Sequence, residues 1–206
     1  MDFEDWEPYY IEILEWFYFD REKDEEAANV LAGLLPRDDV RILEGLCRER
    51  TVTVCGNAPY LKYELGRIEG TIFAADAASL VLWESGIRPD AVFTDLDGAT
   101  DDYPIMNREG TVMIIHAHGD NIPLLRYWTQ QFNGPVVGTT QARPFPPLHN
   151  FGGFTDGDRA VFTADHLGAR RIIIIGFDLD DQDVDIVKRG KLQWARRLLT
   201  LIGHAC

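Results

Sequence analysis

The sequence predicts an α/β fold: an open, mostly parallel sheet flanked by helices, preceded by an N-terminal helical extension. Three observations predict it. From residue 51 onward short β-rich runs alternate with helical stretches, those runs are apolar throughout, and residues 3–47 carry apolar side chains at helical spacing. Alternating strands and helices build βαβ units around a parallel sheet, and strands covered on both faces read as unbroken apolar runs.

At the N-terminus Trp6, Tyr9, Tyr10, Ile13, Trp16 and Phe17 recur at helical spacing. After Asp20 a second helical pattern runs through Ala27, Val30, Leu31 and Leu34 until "LPRDD" breaks it. The first stripe is too large to leave wet, which predicts packing on the α/β domain or on a second copy of the chain in a homo-oligomer. The helical extension is thus assigned to 1–48 and the α/β domain to 49–206. Strands are predicted at "TVTVC" (51–55), "TIFAA" (71–75), "AVFT" (91–94), "TVMIIHA" (111–117), "PVVG" (135–138) and "RIIIIG" (171–176). The isoleucines at 172–175 mark the expected central strand. Pro-rich "ARPFPPLHN" (142–150) reads as an irregular loop.

At 206 residues with 46% apolar content, the chain can bury a core of its own. The 34 acidic against 20 basic residues, a net charge of -14, argue against nucleic acid as a partner. No apolar run approaches the ~18 residues needed to span a bilayer, and the first residues lack a basic segment followed by an apolar one. No membrane association and a cytoplasmic location are the expectation. Cys47, Cys55 and Cys206 are far apart with no CxxC spacing, which speaks against a disulfide framework or structural zinc and for a reducing compartment.

In an open parallel sheet, ligands bind beyond the carboxyl ends of the strands. Polar residues follow every predicted strand here: Gly56, Asn57 and Ala58 with Pro59; Asp76; Asp95 and Asp97; His116, His118, Asp120 and Asn121; Thr139, Thr140 and Gln141; Gly176 and Asp178. Turn formation and helix capping explain any one of these endings, but capping needs one residue per helix and does not require "DLD". Asp95 and Asp97 share a side if the strand geometry persists, and hard oxygen ligands of this kind suit magnesium or manganese. Asp101 and Asp102 lie past Gly98 and read as turn residues facing solvent. His116, His118 and Asp120 could together hold zinc or manganese, although a packed histidine beside an orienting one is the commoner outcome. In "NFGGFTDGDRA" (150–160), paired glycines and a following helix N-terminus suit an anion or a polar ring, with a long capped turn as the alternative. No GxxxxGK[ST] occurs, no GxGxxG follows the first strand, and no GxSxG supports a nucleophilic serine.

The motifs "CGNAPYL", "FAADAAS", "IRPDAVFTDLDG", "HAHGDN", "GTTQ", "NFGGFTDGDRAVF" and "GFDLD", with the prelude "FEDWEPYYIEIL" and the tail "KLQWARRLL", occur in this order. Together they resemble the archaeal 6-hydroxymethyl-7,8-dihydropterin pyrophosphokinases over nearly the whole chain. A more distant likeness is to the catalytic domain of thiamin pyrophosphokinases. The resemblance implies transfer of pyrophosphate from ATP to a hydroxymethyl-dihydropterin, with Mg2+ as cofactor, in tetrahydromethanopterin or folate biosynthesis. It implies that Asp76, Asp95 and Asp97, with Asp120 as a fourth acid, hold the metal and form the catalytic group. Gly56, Asn57, Ala58, His118, Asn121, Thr139 and Thr140 would contact the nucleotide with Asp76. Gln141, Asn150, Gly152, Gly153, Thr155, Asp156 and Asp158 would contact the pterin. Lys188, Arg189, Lys191 and Arg159 are candidate cations for the phosphates. One departure is "GNAPY" in place of the family's "GNGPS", which puts Tyr60 where a small residue is common. Alternatives are a metal-dependent glycosyltransferase of the same wider family, using Asp-x-Asp for a nucleotide sugar, and a non-catalytic nucleotide sensor.

Overall fold

In the computed structural model, which describes residues 1–204, the N-terminal segment forms α1 (Phe3–Phe17), α2 (Arg21–Leu34) and α3 (Val40–Cys47). Asp20 caps α2, its carboxylate accepting the Glu22 N–H at 2.9 Å. Cys206 lies outside the described residues. The strands are β1 (Thr51–Cys55), β2 (Thr71–Ala75), β3 (Ala91–Thr94), β4 (Val112–Ala117), β5 (Val136–Thr140), β6 (Leu148–His149) and β7 (Arg171–Ile175). Between and after them run α4 (Leu61–Glu64), α5 (Ala78–Glu84), α6 (Asp102–Arg108), α7 (Ile122–Trp128), α8 (Asp156–His166) and α9 (Ile186–Leu201).

All seven strands are parallel, in the order β6-β5-β4-β3-β2-β1-β7. From β1 to β6 each crossover steps the same way, and α4 to α7 pack with α2 on one face through Leu61, Leu82, Tyr103, Leu125 and Leu31. The step from β6 to β7 runs the opposite way. A right-handed crossover then puts its helix on the opposite face, where α8 packs with α3 and α9 through Val161, Leu43 and Leu199.

Two expectations are corrected. The isoleucine run is the edge strand β7, not the centre of the sheet. Ile173 and Ile175 pack toward one face, Ile172 and Ile174 toward the other, so the run reports two covered faces and not two strand neighbours. Within the expected loop at 142–150, Leu148 and His149 add a short strand to β5 at the other edge.

Most of the apolar stripe of α1 is covered by its own chain, whereas Trp16 stays exposed. Phe3, Trp6, Tyr10 and Ile13 form a third cluster with Phe154, Phe162, Trp194 and Leu198.

Because β1 leads toward β2 while β7 arrives beside it from the far edge, the chain parts at the carboxyl ends of β1 and β7 and leaves a crevice there. Gly56 and Gly176 let the two strand ends approach closely. A Cβ on Gly176, whose φ is +67°, would lie 2.4 Å from the Gly56 carbonyl oxygen. The Tyr60 hydroxyl, at the departure noted above, donates to the Phe177 carbonyl at 2.6 Å and ties the two loops together.

Candidate active site

Asp76 follows β2 directly and adopts φ +43°, a left-handed conformation that Asp tolerates better than most residues. Its N–H donates to the Phe93 carbonyl at 2.8 Å. Its Oδ1 accepts from the hydroxyls of Thr94 at 2.8 Å and Tyr103 at 3.2 Å. The next strand end carries Asp95, whose Oδ2 lies 3.2 Å from His118 Nε2 and whose Oδ1 accepts the Asp97 N–H at 3.1 Å. Asn121 pins this strand end to that of β4: its Nδ2 donates to the carbonyls of Asp95 (2.8 Å) and His116 (2.7 Å), and its Oδ1 accepts the His118 N–H (3.1 Å).

Asp156 arrives from the opposite face as the first residue of α8. Its Oδ1 accepts from Arg159 Nη1 at 2.9 Å. Thr155 caps the helix, and the Asp158 carboxylate accepts the N–H groups of Phe154 and Thr155, both at 2.7 Å, and the Thr155 hydroxyl. Asp76, Asp95 and Asp156 each bring a carboxylate oxygen within 4.8 Å of the others. Such a set fits a hard divalent cation, which prefers oxygen ligands.

The electrostatics agree with that fit. Burial pushes Asp76 above the usual carboxylate range, the Thr94 hydrogen bond partly offsetting it and the Asp95 charge adding to it. Burial and the Asp95 charge also hold Asp156 well above that range. Asp97 is pushed up to about 6 by burial and by its neighbour Asp95. Asp95 itself is held well below the range: burial pulls it up, but the His118 hydrogen bond, the Asp97 N–H and the charges of His118 and Arg159 outweigh that. One carboxylate stays anionic while its neighbours resist ionisation, as expected of acids packed together without a counter-charge.

For Asp97 the folded value lies above the unfolded one, so its stabilisation is complete below about pH 4 and is lost as pH rises through about 6. The depressed Asp95 acts in the opposite sense, and only below about pH 4. Metal-free protein should therefore lose stability between about pH 5 and pH 7, and a bound cation should restore it. Thermal melting with and without Mg2+ should show a larger Mg2+-dependent rise in Tm at about pH 7.5 than at about pH 5.5. An equal or larger rise at the acid pH would argue against cation binding by these carboxylates.

The three acids lie along a cleft of about 810 Å3, within the range of small-molecule sites. Gly56, Asn57 and Ala58 line the end at β1 and β7, with Gly176, Phe177 and Asp178. His118, Asp120 and Gln141 line the other end, beside Phe154, Thr155 and the corner between α1 and α2. Asp97 also lines the cleft, outside the group that converges within 4.8 Å. Lys188 and Lys191 line it too, whereas the Arg189 guanidinium donates to the Gln182 carbonyl at 2.8 Å. Thr139, Thr140, Asn150, Gly152 and Gly153 surround a separate small cavity next to Arg159. Asn121 and Asp158 are buried in the loop and capping contacts described above. Burial, and next to it the charge of Arg159, hold His116 well below the usual imidazole range, and its Nδ1 lies 3.0 Å from Thr139 Oγ1.

Sequence reasoning missed the contribution of α2. Buried Asp24 accepts from the Tyr10 hydroxyl (2.7 Å), Gln141 Nε2 (2.7 Å) and the Gly119 N–H (2.8 Å), so it holds one wall of the cleft. The signal was present in the spacing. Asp24 lies three and four residues before Ala27 and Ala28, on the buried stripe, where an unpaired acid would be costly.

The family model described as 6-hydroxymethylpterin diphosphokinase MptE-like matches residues 28–184. A 6-hydroxymethyl-7,8-dihydropterin pyrophosphokinase of Methanothermobacter thermautotrophicus is 40% identical, over 97% of this chain and 94% of the relative. Relatives with the same name from Pyrococcus furiosus (38% identical, 95% of this chain, 84% of the relative) and Methanocaldococcus jannaschii (33%, 98% and 96%) are similar over nearly their whole length. Among solved structures, the MAf glycosyltransferase of Magnetospirillum magneticum AMB-1 matches 82% of this chain with a TM-score of 0.50 at 20% identity, a likeness of fold. The present chain spans 29% of that protein. Near full-length identity of 33–40% to three pyrophosphokinases, with a family model over most of the α/β region, means that this chain belongs to the 6-hydroxymethylpterin diphosphokinase MptE-like family of enzymes.

Proposed function

We propose that the protein transfers pyrophosphate from ATP to 6-hydroxymethyl-7,8-dihydropterin, giving AMP and the pterin diphosphate for tetrahydromethanopterin or folate biosynthesis. The observation that carries this reading is the convergence of Asp76, Asp95 and Asp156 in a cleft with two chemically different ends. The names of the three relatives support the pterin as acceptor. The crevice at Gly56 and Gly176 is assigned to the nucleotide, because glycine backbone permits close approach and strand ends at such a crevice favour ligands. The end bounded by Gln141 and Phe154 is assigned to the pterin: it pairs an amide with an aromatic ring, as a flat polar heterocycle requires.

In the reaction the hydroxymethyl oxygen bonds to the β-phosphorus of ATP and gives up its proton to solvent, while the bond from that phosphorus to the α,β-bridging oxygen breaks and AMP leaves. Mg2+, when bound, would neutralise phosphate charge and draw electron density from the phosphorus. The residues present fit it: Asp76, Asp95 and Asp156 would be its ligands, with Asp97 adjacent. His118 orients the Asp95 carboxylate, and Arg159 holds that of Asp156. Lys188 and Lys191 bring positive charge to a cleft that is otherwise rich in acid, and the N-terminus of α8 faces it with its dipole. Catalysis then rests on alignment and charge compensation, without a covalent intermediate on the chain.

The test is release of AMP from ATP with a panel of acceptors: the pterin alcohol, thiamin and simple sugars. AMP should appear in step with pterin diphosphate, only with the pterin alcohol, and only with a divalent cation. AMP formed without the pterin, or ATP binding with no turnover, would refute the assignment.

A further inference from the structure

His116, Thr139, Thr140, Gly152 and Arg159 line a small space of about 10 Å3 behind the cleft wall. Two of these residues carry a buried side-chain nitrogen with no hydrogen-bond partner among the described residues, His116 Nε2 and Arg159 Nε. Buried polar groups are nearly always paired, so two orphans around one cavity call for an explanation.

Their roles are complementary. We assign the Thr139 hydroxyl proton to the Ile115 carbonyl, 3.2 Å away, which makes the hydroxyl oxygen the acceptor for His116 Nδ1 at 3.0 Å. Nδ1 therefore carries the imidazole proton, and Nε2 is left as an acceptor. Arg159 Nε is a donor in every state. A space of about 10 Å3 is roughly one water sphere, and a water needs at least two polar partners. Thr140 lines the same cavity. Its Oγ1 accepts the Ala142 N–H at 3.1 Å and still has a proton to give.

We propose that one ordered water fills this cavity, donating to His116 Nε2 and accepting from Arg159 Nε, and that His116 is thereby a positioning residue for the Arg159 guanidinium. The other two guanidinium nitrogens bond forward: Nη1 to Asp156 Oδ1 at 2.9 Å and Nη2 to the Phe154 carbonyl at 2.5 Å. A guanidinium held at all three nitrogens cannot rotate, and Asp156 is kept facing Asp76 and Asp95. The consequence for turnover rests on the reading of those three acids as a cation site, whereas the water bridge itself does not.

Two variants separate the bridge from simple packing. His116→Asn keeps an amide near the position of Nδ1 and removes the acceptor at Nε2; His116→Gln carries an amide oxygen out to where Nε2 lies. By NMR of the metal-free protein, the Arg159 Nε–H should exchange slowly with solvent in the wild type, about tenfold faster in His116→Asn, and near the wild-type rate in His116→Gln. Turnover should follow the same order, with kcat of His116→Asn about tenfold lower, both KM values within about twofold, and Mn2+ affinity weakened by a similar factor. Equal Arg159 exchange in wild type and His116→Asn would overturn the proposal. So would equal losses in both variants that track their melting temperatures, since that is the signature of lost packing alone. If the wild type fails to bind Mn2+, the cation reading falls, and the Arg159 exchange comparison still decides the bridge.

Discussion

Replacing Asp95 by Asn should lower kcat by about 100- to 1,000-fold while leaving the fold intact. Asn keeps the shape and can still accept the Asp97 N–H through its oxygen, but it removes the acid of the converging group that its surroundings hold anionic. Asp156→Asn should fall in the same range, since it completes the group within 4.8 Å. Asp101→Asn and Asp102→Asn are the controls. Asp101 is exposed and Asp102 is the half-buried first residue of α6; neither belongs to the converging group or lines the cleft, so each should change the rate by no more than about twofold. The measurement is AMP release across a magnesium titration, with circular dichroism to verify folding. Well-folded Asp95→Asn and Asp156→Asn enzymes with near-normal rates would remove the carboxylates from the mechanism.

The largest effect on stability is expected from Trp6→Ala. Trp6 is fully buried, stacks on Tyr10 with ring centroids 6.5 Å apart, and donates its indole N–H to the Gln141 carbonyl at 2.9 Å. Large-to-small substitution of a buried tryptophan costs about 3–5 kcal/mol, which for a chain of this size lowers Tm by roughly 6–20 °C. The damage should reach the cleft. Tyr10 and Gln141 both bond Asp24, so loosening α1 disturbs the wall assigned to the pterin more than the crevice at Gly56 and Gly176. Assayed well below its Tm, the variant should show a raised KM for the pterin and a nearly unchanged KM for ATP. A KM increase confined to ATP would mean that the two ends of the cleft have been assigned in reverse.

Much of this architecture was legible because periodicity and polarity report which faces of an element are covered. Helical spacing located α1 and α2, apolar runs located six of the seven strands, and polar residues after those runs marked the edge where the cleft opens. Spacing alone could not bring Asp156 to Asp76 and Asp95. That meeting depends on α8 crossing to the opposite face, which follows from strand order and not from any local pattern. The same limit explains β7: an isoleucine run records what covers its faces and is silent about its neighbours in the sheet. Two-residue β6 carries too few side chains to show a period. The paired glycines were open to two readings, a site for an anion or polar ring and a long capped turn; Gly152 and Gly153 border the inner cavity and, with φ values of +88° and +87°, turn the chain into α8.

The pairing of β1 with β7, Thr51 opposite Arg171, orders the birth of the protein as well as its finished shape. During synthesis β1 to β5 emerge in the sequence in which they pair, and each can dock on the strand before it. β1 must wait with one edge bare until nearly the whole chain has left the ribosome. A contact so distant in sequence closes late and slowly, and an unfilled strand edge meanwhile invites the wrong partner. An incomplete chain ending before β7 would carry all three converging acids but no crevice between Gly56 and Gly176, so the end of the cleft proposed for the nucleotide would be missing from a polypeptide that was still being made.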